Sequence, residues 1–95
     1  MALDVSPAVR LKLRIRQGVD IAEVEQCIRN RRSGLLLDSR QRHRTVPPTL
    51  WFISTTDAGR LLKVVVVAHD RGYTLKTAFE PNADEIRVYS RARQR

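Results

Sequence analysis

Two periodicities compete at the start of the chain. Val9, Leu11, Leu13 and Ile15 alternate with Arg10, Lys12, Arg14 and Arg16, the two-residue period of a half-exposed strand. Ser6-Pro7 instead carries the chemistry of a helix start, with serine as cap and proline at the first helical position, and Gly18 supplies a stop. Start and stop bracket an eleven-residue span, which we read as a helix. The next segment is less divided. Asp20-Ile-Ala-Glu23 is a capping box, in which the two side chains satisfy each other's backbone amides. Val24, Ile28 and either Ile21 or Cys27 then form one apolar stripe, and Arg29, Arg31 and Arg32 place positive charge at the negative end of the helix dipole.

After Ser33-Gly34 the pattern changes to strands. Leu35-Leu36-Leu37 is a short apolar run, and Arg40 to Thr45 is a basic loop closed by Pro47-Pro48, which cannot lie in a central strand. Leu50 to Ile53 and Leu61 to Ala68 flank the turn residues Thr56 to Gly59 and predict a hairpin. Asp70-Arg71-Gly72 turns the chain again into Tyr73 to Phe79. Asn82-Ala-Asp-Glu85 starts a last short helix, with Ile86, Tyr89 and Arg93 on one face. The expectation is a single α+β domain over residues 1–95. Two N-terminal helices pack on a three- to four-stranded antiparallel meander, a short helix closes the chain, and residues 1–5 and 92–95 are flexible. The unbroken run Val64 to Val67 predicts a strand covered on both faces. Either the C-terminal helix folds over the face the helix pair leaves or a partner chain does, and because the remaining chain is short a partner is the expectation.

Charge sharpens the picture. Eighteen basic against ten acidic residues give +8, and fifteen of the eighteen are arginine, whose planar fork suits phosphate or carboxylate. The excess is clustered. Residues 1–28 are neutral, 29–44 carry +5, 45–86 carry −1 and 87–95 carry +4. Two basic blocks point to RNA or an acidic protein. One cysteine excludes an internal disulfide framework, and with two histidines it leaves no support for a metal or cofactor site. Cys27 reads as a buried, inert thiol. Val64 to Ala68, the longest apolar stretch, is far short of the roughly 20 residues of a membrane span. The N-terminus lacks a basic region followed by an apolar run, so the expected setting is the cytoplasm, without membrane contact.

No glycine-rich phosphate loop and no glycine-flanked nucleophilic serine is present. What remains suits RNA. His43 lies among Arg40, Arg42 and Arg44, neighbours that favour its neutral, base form. Such a base takes the proton of a ribose hydroxyl, which attacks the adjacent phosphate while Lys63 and arginines stabilise the developing charge. Glu80 is a second candidate acid or base. Tyr89 packs in the core unless its hydroxyl faces the groove. Trp51 reads as core with stacking on a base as its alternative, and Lys63 as an edge lysine or a groove residue.

Arg16-Gln17-Gly18-Val19, followed by a capping box and a short helix, resembles the start of BrnT-like toxins of the RelE/ParE superfamily of type II toxin–antitoxin ribonucleases. Leu75 to Glu80, then Asp84-Glu85-Ile86 and Tyr89, resembles that family's last strand and closing helix. Asp38-Ser-Arg40, His43-Arg-Thr45, Pro47 to Ile53, Gly59 to Val64 and Thr77 to Asn82 are similar to small bacterial proteins labelled ADP-ribosyl-dinitrogen-reductase hydrolase. The first resemblance implies a metal-independent endoribonuclease restrained by a cognate acidic or amphipathic antitoxin. In that reading His43 or Glu80 is the base and Tyr89 an orienting or acid group. Lys63 polarises the phosphate, and Arg40, Arg42, Arg44, Arg60 and Arg91 bind RNA. Two alternatives stand beside it: a non-catalytic basic nucleic-acid- or partner-binding protein, and an ADP-ribosyl-protein hydrolase, which needs an acidic metal cluster. Where BrnT-like chains carry lysine–histidine, this sequence has Arg16-Gln17, so a histidine base is absent there. The nuclease reading requires the arginines of 29–44 and of the closing segment to converge beside Lys63.

Overall fold

Ser6 caps the first helix as its position predicts, its Oγ accepting from the Val9 amide at 3.2 Å. The computed structural model describes residues 2–38 and 47–93. A two-residue strand, β1 (Leu3–Asp4), precedes helix α1 (Pro7–Lys12), which continues as a π-helical turn over Leu13–Gln17. The wide turn ends where the amides of Gly18 and Val19 both donate to the Leu13 carbonyl. Gly18 takes φ +61°, a left-handed conformation that glycine adopts without steric cost. The strand-like alternation therefore belongs to a helix with two apolar ridges. Leu13 is buried and Val9 half-buried towards the sheet, whereas Leu11 and Ile15 point to solvent at 57% and 72% exposure.

Helix α2 (Ile21–Asn30) begins at the expected capping box, with the Asp20 amide donating to Glu23 Oε1 at 3.1 Å. Its stripe of Ile21, Val24 and Cys27 is buried, and Ile28 is half-buried. Strands β2 (Leu36–Leu37), β3 (Thr49–Thr55), β4 (Leu61–His69) and β5 (Gly72–Phe79) follow, and α3 (Ala83–Arg93) closes the chain. β3, β4 and β5 form the expected antiparallel meander.

The sheet as a whole departs from the expectation. It has five strands in the order β1-β5-β4-β3-β2 and is mixed, because β1 runs parallel to β5. Residues 1–5, expected to be flexible, thus include a strand, with the Tyr73 amide donating to the Ala2 carbonyl at 2.9 Å. A two-residue strand held by backbone bonds leaves no side-chain period to detect.

Register divides the core between two faces. Phe52 pairs with Val64, and Val64 with Ala78. These residues, with Leu62, Val66 and Leu75, are buried towards α1 and α2, each aliphatic contributing about 1.5–3 kcal/mol. Trp51, Ile53 and Lys63 face the other way, where α3 lies, with Trp51 and Tyr89 ring centres 5.7 Å apart. The closing helix itself therefore covers this second face. Val64 and Val66 are wholly buried, whereas Val65 and Val67 are half-buried, the asymmetry expected when one helix covers what two cover opposite.

Candidate nucleic-acid interface

Lys63 interrupts the apolar run of β4 and is only 6% exposed. A buried ammonium requires compensation. Its Nζ donates to Glu85 Oε2 at 2.7 Å and lies 4.4 Å from the centre of the Trp51 ring and 5.6 Å from that of Phe79. Glu85 is fixed in turn by the α3 cap, where its Oε1 accepts from the Asn82 amide at 2.9 Å and its own amide donates to Asn82 Oδ1 at 2.8 Å. One carboxylate thus closes the helix start and neutralises the lysine. Beside this pair a cavity of about 430 Å³ opens between β2 and α3, lined by Leu36, Asp38, Trp51, Lys63, Asp84 and Val88 among others. Tyr89 lies one helical turn beyond Glu85 and donates its hydroxyl to the Gly34 carbonyl at 3.1 Å. Of the four expected catalytic residues, Lys63 and Tyr89 come together around Trp51, which is core as read.

Glu80 and Arg60 do not join them. Arg60 donates through NH1 to the Gly18 carbonyl at 2.9 Å and to Glu23 Oε2 at 3.1 Å, and through NH2 to Glu80 Oε2 at 3.1 Å. The guanidinium ties the end of the π turn, the start of α2 and the end of β5 together. Glu23 and Glu80 hold Arg60 firmly protonated, its hydrogen bond to Glu23 being the largest cause. Expected as a phosphate ligand and an acid–base group, Arg60 and Glu80 instead form a clamp at the helix-pair joint. The physical reason is local: the carbonyls of Gln17 and Gly18 and the carboxylates of Glu23 and Glu80 converge on one fork.

His43, Arg40, Arg42 and Arg44 lie outside the described residues. The remaining guanidiniums are dispersed. Arg29 reaches Asp57 at 2.9 Å, Arg31 lies 5.5 Å from the centre of the Phe52 ring, and Arg87 pairs with Asp84 at the rim of the Lys63 cavity. Arg91 is exposed one turn beyond Arg87. Among the described residues, the arginines of α3 approach the Lys63 side of the sheet, and Arg32 lines a hollow on that side with Ile53, Ile86, Tyr89 and Ser90. His69 accepts from the Arg71 amide at Nδ1 within the β4–β5 turn, and its Nε2 lies 3.3 Å from an Asp4 carboxylate oxygen without a hydrogen bond between them. Cys27 is fully buried, its thiol pushed up to about 11 by burial and next by the charge of Glu23. Among the described residues no three histidine, cysteine or acidic side chains cluster closely enough to hold a metal ion, and no helix is long and apolar enough to cross a membrane.

Sequence reasoning missed Glu85 as the partner of Lys63 because it carried a complete explanation as a helix-capping residue. A lysine inside an apolar strand was the available signal, since such a group demands a counter-charge from another element. No family model, no curated protein and no solved structure matches the chain.

Proposed function

We propose that the chain is a toxin-like, RNA-acting protein of the BrnT-like, RelE/ParE type, cleaving RNA without a metal and restrained in the cell by an acidic antitoxin. The observation that carries this reading is the opening beside Lys63. Arg87 and Arg91 stand on the helix that forms one wall, and the basic segment 39–46 begins one residue after the lining residue Asp38. Phosphates held by these arginines bring a ribose hydroxyl to His43. The imidazole takes the proton, the 2′-oxygen attacks phosphorus, and the 5′-oxygen leaves and takes a proton from water, giving a cyclic phosphate end. With Glu80 held by Arg60, His43 is the base in this reading.

A second reading, RNA binding without cleavage, is favoured by the pairing of Lys63 with Glu85 and of Glu80 with Arg60. The ADP-ribosyl-protein hydrolase reading has no metal-holding cluster among the described residues behind it.

One experiment separates the two readings. The purified chain is incubated with single-stranded RNA in EDTA, and the product ends are analysed. Cleavage leaving cyclic phosphate, abolished by His43→Ala, supports the nuclease. Intact RNA, bound with an affinity that falls steeply with salt, assigns the chain to binding alone.

A further inference from the structure

Among the described residues, nothing covers the outward ridge of the first helix. Leu11 and Ile15, one turn apart, are the most exposed large aliphatic side chains of the helix pair, at 57% and 72%. A surface helix ordinarily presents polar residues there. Arg10 and Arg14 run along one side of the ridge, Lys12 and Arg16 along the other, and all four are exposed. From Val5 to Val19 the chain carries no acidic residue. Among these four cations only Arg14 reaches a carboxylate, Asp20 at 4.0 Å. The ridge also borders concave surface. A hollow of about 410 Å³ lies against Val5, Pro7, Arg10, Leu11 and Arg14. It adjoins a second of about 560 Å³ under α2, the two sharing Val5 and Arg10, where Ile28 lies among Asp4, Glu25 and Arg29, so the cationic character belongs to the first-helix end of the strip.

We propose that this face is a docking surface for an acidic amphipathic helix of another protein. An occupant must bury aliphatic side chains in a concave strip and present negative charge on both flanks. An amphipathic helix with apolar residues every third or fourth position and aspartate or glutamate beside them does both. RNA supplies the charge and its bases can stack on the arginines, but it leaves the two branched aliphatics unburied, and no aromatic side chain lies between residues 5 and 19 to offer a further platform. A second copy of the chain would set four cations against four. A bilayer would take up the ridge but not fill hollows that lie between secondary elements. The surface lies on the opposite side of the sheet from the Lys63 opening and does not depend on the nuclease reading.

The test is selection from a helix-biased peptide display library on the full chain, counter-selected on the Leu11→Ser/Ile15→Ser variant. Both positions are exposed, so the variant keeps the fold, which thermal melting verifies. Enriched peptides are expected to carry apolar residues at helical spacing flanked by acids. The best of them should shift amide resonances of residues 5–16 and 25–29, and it should bind the variant about tenfold or more weakly, the scale of lost aliphatic contacts. Enrichment that survives counter-selection, peptides without acidic bias, or no enrichment overturns the proposal. So do two control results that the double substitution abolishes: flotation with phosphatidylglycerol vesicles without peptide binding, which assigns the ridge to a membrane surface, and concentration-dependent dimerisation in sedimentation, which assigns it to a second copy.

Discussion

Replacing Glu85 by glutamine removes one charge and almost nothing else. Glutamine serves the capping box as well as glutamate does, so the start of α3 is retained. The ammonium of Lys63 is then left in place with its side chain only 8% exposed and no counter-charge on its nearest acceptor. Breaking a buried pair from one side costs about 3–5 kcal/mol. The Trp51 ring at 4.4 Å continues to attract the ammonium, and Glu85 was itself 22% exposed, so we expect about 2–4 kcal/mol. Lys63→Met is the opposite perturbation. It removes the buried charge, keeps the length of the side chain, and leaves a carboxylate that water reaches, so its expected cost is about 1 kcal/mol or less. The double variant should then match Lys63→Met, giving a coupling of about 2 kcal/mol or more. Urea unfolding measures all four proteins, and in thermal melting Glu85→Gln should lower the midpoint by roughly 10–25 °C for a domain this size. Equal losses from Glu85→Gln and Lys63→Met, or a Glu85→Gln variant as stable as the parent, would refute the reasoning. The same pair serves the functional reading, because Lys63→Met that abolishes RNA cleavage at unchanged stability assigns the lysine a role in the reaction.

Arg60→Lys should destabilise by about 1–3 kcal/mol in urea unfolding, since an ammonium cannot reach the Gly18 carbonyl, Glu23 and Glu80 together. Cys27 should resist iodoacetamide in the folded chain at neutral pH and react once denaturant is added. Its raised thiol gives stability that is complete below about pH 9, the thiol's ordinary value, and declines by about 1.4 kcal/mol per pH unit towards 11. The unfolded chain ionises first in that window, and Cys27→Ala should flatten this part of the pH profile. Gly72→Ala places a Cβ 2.5 Å from the Ala2 carbonyl oxygen at φ +139°. It should detach β1, read as faster hydrogen exchange of the Tyr73 amide with the meander intact.

Elements signalled by their own residues were legible in the sequence. Ser6-Pro7 and Gly18 mark both ends of the first helix, Asp20 with Glu23 and Asn82 with Glu85 open the other two, and Thr56 to Gly59 joins the hairpin. What escaped depends on contacts between segments distant in the chain. β1 is recognised only through its backbone pairing with β5. The clamp joins Arg60 to residues 37 positions before it and 20 after it, and no local pattern encodes that. The candidate site suffered most from this. Basic residues were counted where they lie in sequence, but Arg29, Arg60 and Arg87 found carboxylates of their own chain. Lys63 and Tyr89 met because both belong to one sheet face and the helix across it.

The outermost strands have a consequence for how the molecule behaves in company. β5 is eight residues long and β3 seven, and each is bordered on its outer side by a strand of only two. Very short rim strands are a recognised guard against fibril-like growth, because an incoming chain finds too few amide and carbonyl groups in line to extend the ladder. Trimming residues 2–4 would therefore expose the Tyr73–Thr74 stretch of β5 to strand addition and aggregation.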